Sequence, residues 1–216
     1  MTDQSATFGT ARWVSAAPGA WTKELLRSGD DSFTLPRLGR GAELELPGDR
    51  VLVLEGELGI GGVVHRVGAY RAVEGVLSSP SMCLALVLSG KRLGAPADDV
   101  FSPEGWVESG PGQWFRLLLD VAFDENFDER LVGLSYFEPG STAPRHPHPT
   151  AHRFLFLDGE ADDEWVLPDG TRQTAHRSRG DFVDYPYPVE HQTFSRTGCM
   201  ILFLHEPIST PASGNA

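Results

Sequence analysis

Apolar residues come along this chain in short runs, bounded by Gly, Pro and Asp. Val51–Leu54, Cys83–Leu88, Phe154–Leu157 and Met200–Leu204 are runs of 4 to 6 residues. That length suits a strand and falls short of a helix. The 24 glycines and 16 prolines supply turns between many short strands. No run of 18 apolar residues occurs, so no transmembrane helix is expected. The pattern predicts an all-β chain.

The pattern is also written twice. Trp13, Val14, Pro18, Gly19, Trp21, Leu25 and Leu26 recur 93 positions later as Trp106, Val107, Pro111, Gly112, Trp114, Leu118 and Leu119. The stretch from Arg50 recurs from Arg153 at an offset of 103, Gly68 recurs as Gly180 at 112, and the run from Cys83 recurs from Cys199 at 116. Two copies of one β-domain follow: residues 1–92, a Gly/Pro/Asp-rich linker at 93–105, and residues 106–207, with a disordered tail at 208–216. Two of the intervals over which the offset grows bear on the chemistry. Four residues are missing from the first copy between Gly41 and Arg50, and four between Gly68 and Cys83. An ungapped alignment would set Glu43, Glu45 and Asp49 against three histidines of the second copy, but a solvated acidic face is the simpler reading. The first copy is expected to be metal-free and structural.

The segments missing from the first copy carry histidines in the second. His146 and His148 are two apart, and in an extended strand such residues share a face, so both imidazoles can reach one ion. Pro147 and Pro149 exclude a helix. His152 then opens the apolar run Phe154–Leu157, and His191 follows Gly180 and Pro186. His65 and His176 read as surface residues, and His205, at the end of the last strand, as a residue at a barrel mouth or in solvent that is not a ligand.

These residues resemble the two motifs of the cupin superfamily. Gly140, five residues, His146-Pro147-His148, three residues, His152, six residues, Gly159 matches the first in every spacing, with His152 where the family usually has Glu. Gly180, five residues, Pro186, then Pro188, His191 and Ser195 matches the second, with Pro188 for the usual Gly and Ser195 for the usual Asn. The resemblance implies two tandem double-stranded β-helix (jelly-roll) barrels. It implies one divalent transition metal on His146, His148, His152 and His191, with Fe(II) favoured and Mn, Ni, Cu or Zn as alternatives. Without a carboxylate the ion keeps its full charge, which favours an anionic substrate. The pocket is expected to be lined by Tyr136 or Phe137, with Phe154, Phe156, Tyr185, Tyr187 and Phe194, and with Arg145 or Arg153 near an anionic group. The finer resemblance is to ChrR-type and acetylacetone-dioxygenase-like bicupins. The anti-sigma role of the former is disfavoured, because no C-x-x-C is present. The implied activity is that of an Fe(II) dioxygenase-type enzyme acting on a small organic molecule with O₂. The alternatives are a non-catalytic metal or ligand sensor and a non-redox isomerase or hydrolase.

Charge narrows the partners. The net charge is -12, and no Lys/Arg cluster is present, which argues against nucleic acid and anionic membranes. Cys83 and Cys199 are the two cysteines, so a thiolate zinc site is not expected. The polar start lacks a signal pattern, and a cytoplasmic location is the expectation. Phe154–Leu157 is apolar on both faces, so a homodimer is one way to cover it.

Overall fold

A computed structural model describes residues 6–7, 12–28, 31–90, 93–119, 131–148, 151–185 and 189–206. The proposed tail at 208–216 lies outside them. Every regular element among the described residues is a strand, and no helix there is long and apolar enough to cross a membrane. The strands are β1 (Ala6–Thr7), β2 (Val14–Ala17), β3 (Ala20–Ser28), β4 (Asp31–Leu38), β5 (Glu43–Leu44), β6 (Arg50–Ile60), β7 (Val63–Arg66), β8 (Tyr70–Ala72), β9 (Leu77–Ser78) and β10 (Cys83–Ser89). They continue as β11 (Val107–Gly110), β12 (Gln113–Leu117), β13 (Leu131–Phe137), β14 (Thr142–His148), β15 (Ala151–Val166), β16 (Arg172–Ser178), β17 (Asp181–Asp184) and β18 (Val189–Glu206).

The chain forms two units, one of residues 11–104 and one of residues 105–216 together with 1–10. The strand order in the first is β2-β3-β4-β10-β6-β9-β5, with β7 and β8 also on β6. In the second it is β11-β12-β13-β18-β15-β17-β1, with β16 on β15 and β14 on β18. The two orders agree over five strands, β2-β3-β4-β10-β6 against β11-β12-β13-β18-β15, so β6 corresponds to β15 and β10 to β18. All pairings are antiparallel, as hairpin-linked short strands require.

Two glycines show how closely the copies agree. Gly56 and Gly159 have φ of 71° and 74°. A Cβ on either would lie 1.8 Å from a carbonyl oxygen, that of Met82 or of Gly198. Each marks the place where its long strand bends against its neighbour, and nothing but glycine fits there.

Residues 93–104 stay with the first unit. Tyr70 and Ala97 exchange both backbone hydrogen bonds, at 2.9 and 2.8 Å, and Arg50 Nε donates to the Gly94 carbonyl at 3.1 Å. The turn-rich composition read as a linker therefore gives an irregular segment whose backbone is engaged by the sheet. Ala6–Thr7 pairs with β17, so this N-terminal strand belongs to the second unit.

The interiors differ. The first unit is filled by aliphatic side chains, among them Leu38, Leu44, Val51, Val53, Ile60 and Leu77. The second is built on Phe154, Phe156, Trp165, Tyr185 and Phe203, and it is hollow at one end.

Candidate metal centre

The hollow end arises from one extension. Gly41 N donates to Ser79 O at 2.7 Å, and Gly140 N donates to Ser195 O at 2.8 Å, which fixes the correspondence of the two copies there. In the first unit the adjoining ladder has two rungs, Glu43 with Ser78 and Leu44 with Leu77. In the second it begins with the matching rungs, Thr142 with Phe194 and Ala143 with Thr193. It then runs on past a bulge to His146 with His191 and His148 with Val189. The residues absent from the first copy are this extension.

Two cross-strand pairs of histidines result: His146 opposite His191, and His152 opposite His205. His191 and His205 lie 14 residues apart on β18, about 46 Å in a straight strand. They line one cavity because β15 and β18 bend together at Gly159 and Gly198, whose φ are 74° and 89°. Ring centroids are 4.8 Å apart for His146 and His191, 5.4 Å for His152 and His191, and 3.8 Å for His152 and His205. His152, His191 and His205 are buried. The side chain of His148 lies outside the described residues.

The hydrogen bonds define which ring nitrogens look inward. His146 Nδ1 lies 2.7 Å from the Pro144 carbonyl, an acceptor, so Nδ1 carries the proton and Nε2 the lone pair. His152 and His205 meet Nε2 to Nε2 at 2.5 Å. In this contact one Nε2 carries a proton and donates it to the lone pair of the other. Burial lowers the pKa of His146, and the neighbouring His191 lowers it further, against the opposing Pro144 carbonyl. Burial lowers that of His205 to about 3, helped by His191 and His146. These rings stay neutral, which is the ligand form.

The cavity has a volume of about 180 Å³. Phe115, Phe137, Phe154 and Phe203 wall it, and Ser135 and Thr193 bring hydroxyls. Among the described residues, no carboxylate, lysine or arginine lines it. The donor set, four imidazoles on a largely apolar wall, fits a divalent transition metal. Among the described residues, no group of three or more His, Cys, Asp or Glu is placed to hold an ion as the side chains stand.

The other predicted residues are placed as follows. Phe154 lines the cavity, while Phe156 is buried in the core beyond it. Tyr136 alternates to the opposite face of β13 from Ser135 and Phe137, which do line the cavity; strand parity selects Phe137. Tyr185 is buried behind His191, its ring 5.1 Å away, and its hydroxyl donates to Asp163. Phe194 is 38% exposed and faces out, and Tyr187 lies outside the described residues. Arg145 pairs with Glu164, and Arg153 with Asp184 at 3.2 Å; neither enters the cavity. Glu43, Glu45 and Asp49 are exposed. His176 is half exposed beside Asp162.

Of the two places expected for His205, the structure supports the barrel mouth: it lines the cavity, is 6% exposed and faces His152, not solvent. Its partner is 53 residues away in sequence, so no local spacing announces it. Asp163 was also missed, because it stands in the acidic stretch Asp158–Glu164. The signal was alternation: Ala161, Asp163 and Trp165 are buried on one face of β15.

No protein-family model and no curated protein sequence matches the chain. Solved structures do. A variant of the Bacillus subtilis oxalate decarboxylase matches with a TM-score of 0.66 at 14% identity, over 96% of this chain and 78% of that one. Another structure of the same enzyme, concerned with its Mn(II) centres, gives 0.63 at 14% identity over the same shares. The Lactobacillus farciminis oxalate decarboxylase in its formate complex gives 0.65 at 14%, over 96% and 87%. A cupin 2 conserved barrel domain protein from Leptotrichia buccalis gives 0.61 at 13%, over 94% and 96%. These likenesses do not extend to the finer resemblance to ChrR-type or acetylacetone-dioxygenase-like cupins. At such identities they show the fold: this chain has the cupin fold in two copies, a bicupin of jelly-roll architecture.

Proposed function

We propose that the second unit is a metal-dependent oxygenase of the Fe(II) type, acting on a small anionic organic molecule that chelates through oxygen. The observation that carries it is the wall of the cavity. Four imidazoles line it, and among the described residues no other ionisable group does. His146, His152 and His191, with His205 or His148 as the fourth, would hold the ion. A bound redox-active divalent ion supplies Lewis acidity and electron transfer to O₂. Neutral ligands leave its charge uncompensated, which selects an anionic oxygen donor. Phe115, Phe137, Phe154 and Phe203 keep water out and strengthen that attraction. The Ser135 and Thr193 hydroxyls can take substrate oxygens. Among the described residues that line the cavity, the histidines are the only ionisable groups, so the reading is a reaction that needs no separate protein base.

A second reading, cleavage of a small dicarboxylate with loss of CO₂, is supported by the fold match to oxalate decarboxylases. It carries no more than the fold.

The test uses untagged protein, elemental mass spectrometry, O₂ uptake and CO₂ release on one sample. The expected result is about one Fe or Mn per chain, with O₂ consumed in a screen of small carboxylates and enolates. The metal should fall below a tenth of that in His191→Ala. His205→Ala and His148→Ala, compared side by side, identify the fourth ligand. A protein that takes up no transition metal on reconstitution refutes the proposal. CO₂ release without O₂ uptake moves the assignment to the second reading.

A further inference from the structure

Behind His191 lies a carboxylate that the metal reading does not use. Asp163 is 1% exposed. The Tyr185 hydroxyl donates to its Oδ2, and Arg177 Nε lies 3.7 Å from the same oxygen. His191 Nδ1 lies 3.5 Å from its Oδ1, at the long end of hydrogen bonding. Arg177 is itself 5% exposed and stacks 5.3 Å from the Trp165 ring. Burial, and then the Asp163 charge, hold the Tyr185 phenol protonated far beyond its usual range, so it acts as a donor.

The first unit serves as an internal control. The rung Asp163 with Thr193 corresponds to Ile60 through Leu77, Tyr185 corresponds to Val73, and Arg177 to His65. The same fold therefore closes there with two aliphatic residues in place of the acid and the phenol. Burying a carboxylate, a phenol and a guanidinium is costly unless each is satisfied by another. Folding does not require the group, and it stands where one copy has a histidine to orient.

We propose that Asp163, anchored by Tyr185 and Arg177, positions His191 by accepting its Nδ1–H, which places the lone pair on Nε2 at the cavity. This rests on the metal-site reading above. A carboxylate only accepts, so the ring nitrogen facing it must be the protonated one. His146 is fixed the same way by the Pro144 carbonyl. The two rings of this cross-strand pair are thereby both held as Nε2 donors. Such outer partners set the tautomer and basicity of metal-binding imidazoles.

The test reads the tautomer first, by ¹⁵N NMR of histidine in metal-free protein, with His191→Gln assigning the signal. Wild type is expected to carry the proton on Nδ1. Asp163→Asn keeps the volume but offers an amide that can donate. It is expected to shift the proton toward Nε2, to weaken Co²⁺ binding about 10- to 100-fold and to alter the visible Co²⁺ spectrum. Tyr185→Phe retains the carboxylate and is expected to retain the wild-type tautomer. A wild-type proton on Nε2, or an Asp163→Asn protein with unchanged tautomer and Co²⁺ affinity, overturns the proposal. The wild-type measurement needs no variant, so it decides the matter even if Asp163→Asn fails to fold. An Nδ1–H wild type that binds no Co²⁺ refutes the metal reading and leaves the positioning of His191 standing.

Discussion

His205→Gln should remove a pH dependence of stability that the wild-type, metal-free protein carries. In the folded protein His205 titrates at about 3, against about 6.5 in an unfolded chain. Burial is the main cause, and the charges that His191 and His146 would carry add to it. The group directly opposite is His152. Among the described residues, no carboxylate lines the cavity to oppose these effects. The folded pKa is depressed and the neutral form is the folded form. Stability is therefore complete above about pH 6.5 and is lost as the pH falls toward the folded value. Between those limits the unfolded chain binds a proton that the folded one refuses, so stability falls by about 1.4 kcal/mol per pH unit. From pH 7.5 to 4.5 this one ring accounts for about 3 kcal/mol. The assay is urea unfolding with chelator present, at several pH values, for wild type and variant. The difference between the two curves should be flat above pH 7 and tilt below pH 6. Parallel curves across the range would refute the burial argument.

Two further outcomes follow from the packing. Gly159→Ala and Gly56→Ala place a Cβ 1.8 Å from a carbonyl oxygen at positive φ, so each should cost about 3 kcal/mol or more in unfolding free energy. Gly170→Ala has φ of 83° but nothing within 4 Å, so it should cost about 1 kcal/mol; equal losses at the three sites would contradict the clash. Burial pushes the Cys83 thiol up to about 12 and the Cys199 thiol up to about 11. At pH 8 their thiolate fractions are of the order of 10⁻⁴ and 10⁻³, and a thiol reagent should label neither within minutes until denaturant is added. Rapid labelling of the native protein would show that the interior opens.

The duplication was legible because β-structure repeats its punctuation. Gly56 and Gly159, or Cys83 and Cys199, occupy the same bend and the same strand, and strand registers tolerate loop changes without losing that punctuation. The extension carrying His146 was legible as a length difference. His205 was not, because it acquires its role from the pairing of β15 with β18. The signal was present in the alignment itself, which sets His152 and His205 at the same end of two paired strands. Asp163 was hidden by its charged neighbours. Asp162 and Glu164 face outward, onto Arg196 and Arg145, and a run of acids hides the inward member when it is read as a block. Alternation, applied within the run, separates them.

The two interiors also bear on why a cavity persists in the second unit. At the same rungs the first unit has Leu44, Leu77 and Ile60 where the second has Ala143, Thr193 and Asp163. Each change removes apolar volume or adds a polar group, and the aliphatic solution is compatible with the fold. The cavity is lined partly by polar groups and opens toward solvent, so water can fill it when nothing else is bound. A ligand present at about a thousand times its Kd would add about 4 kcal/mol to the stability of this unit. The aliphatic unit carries no such dependence. The arrangement fits a fold in which one copy is closed by packing and the other is completed by what it binds.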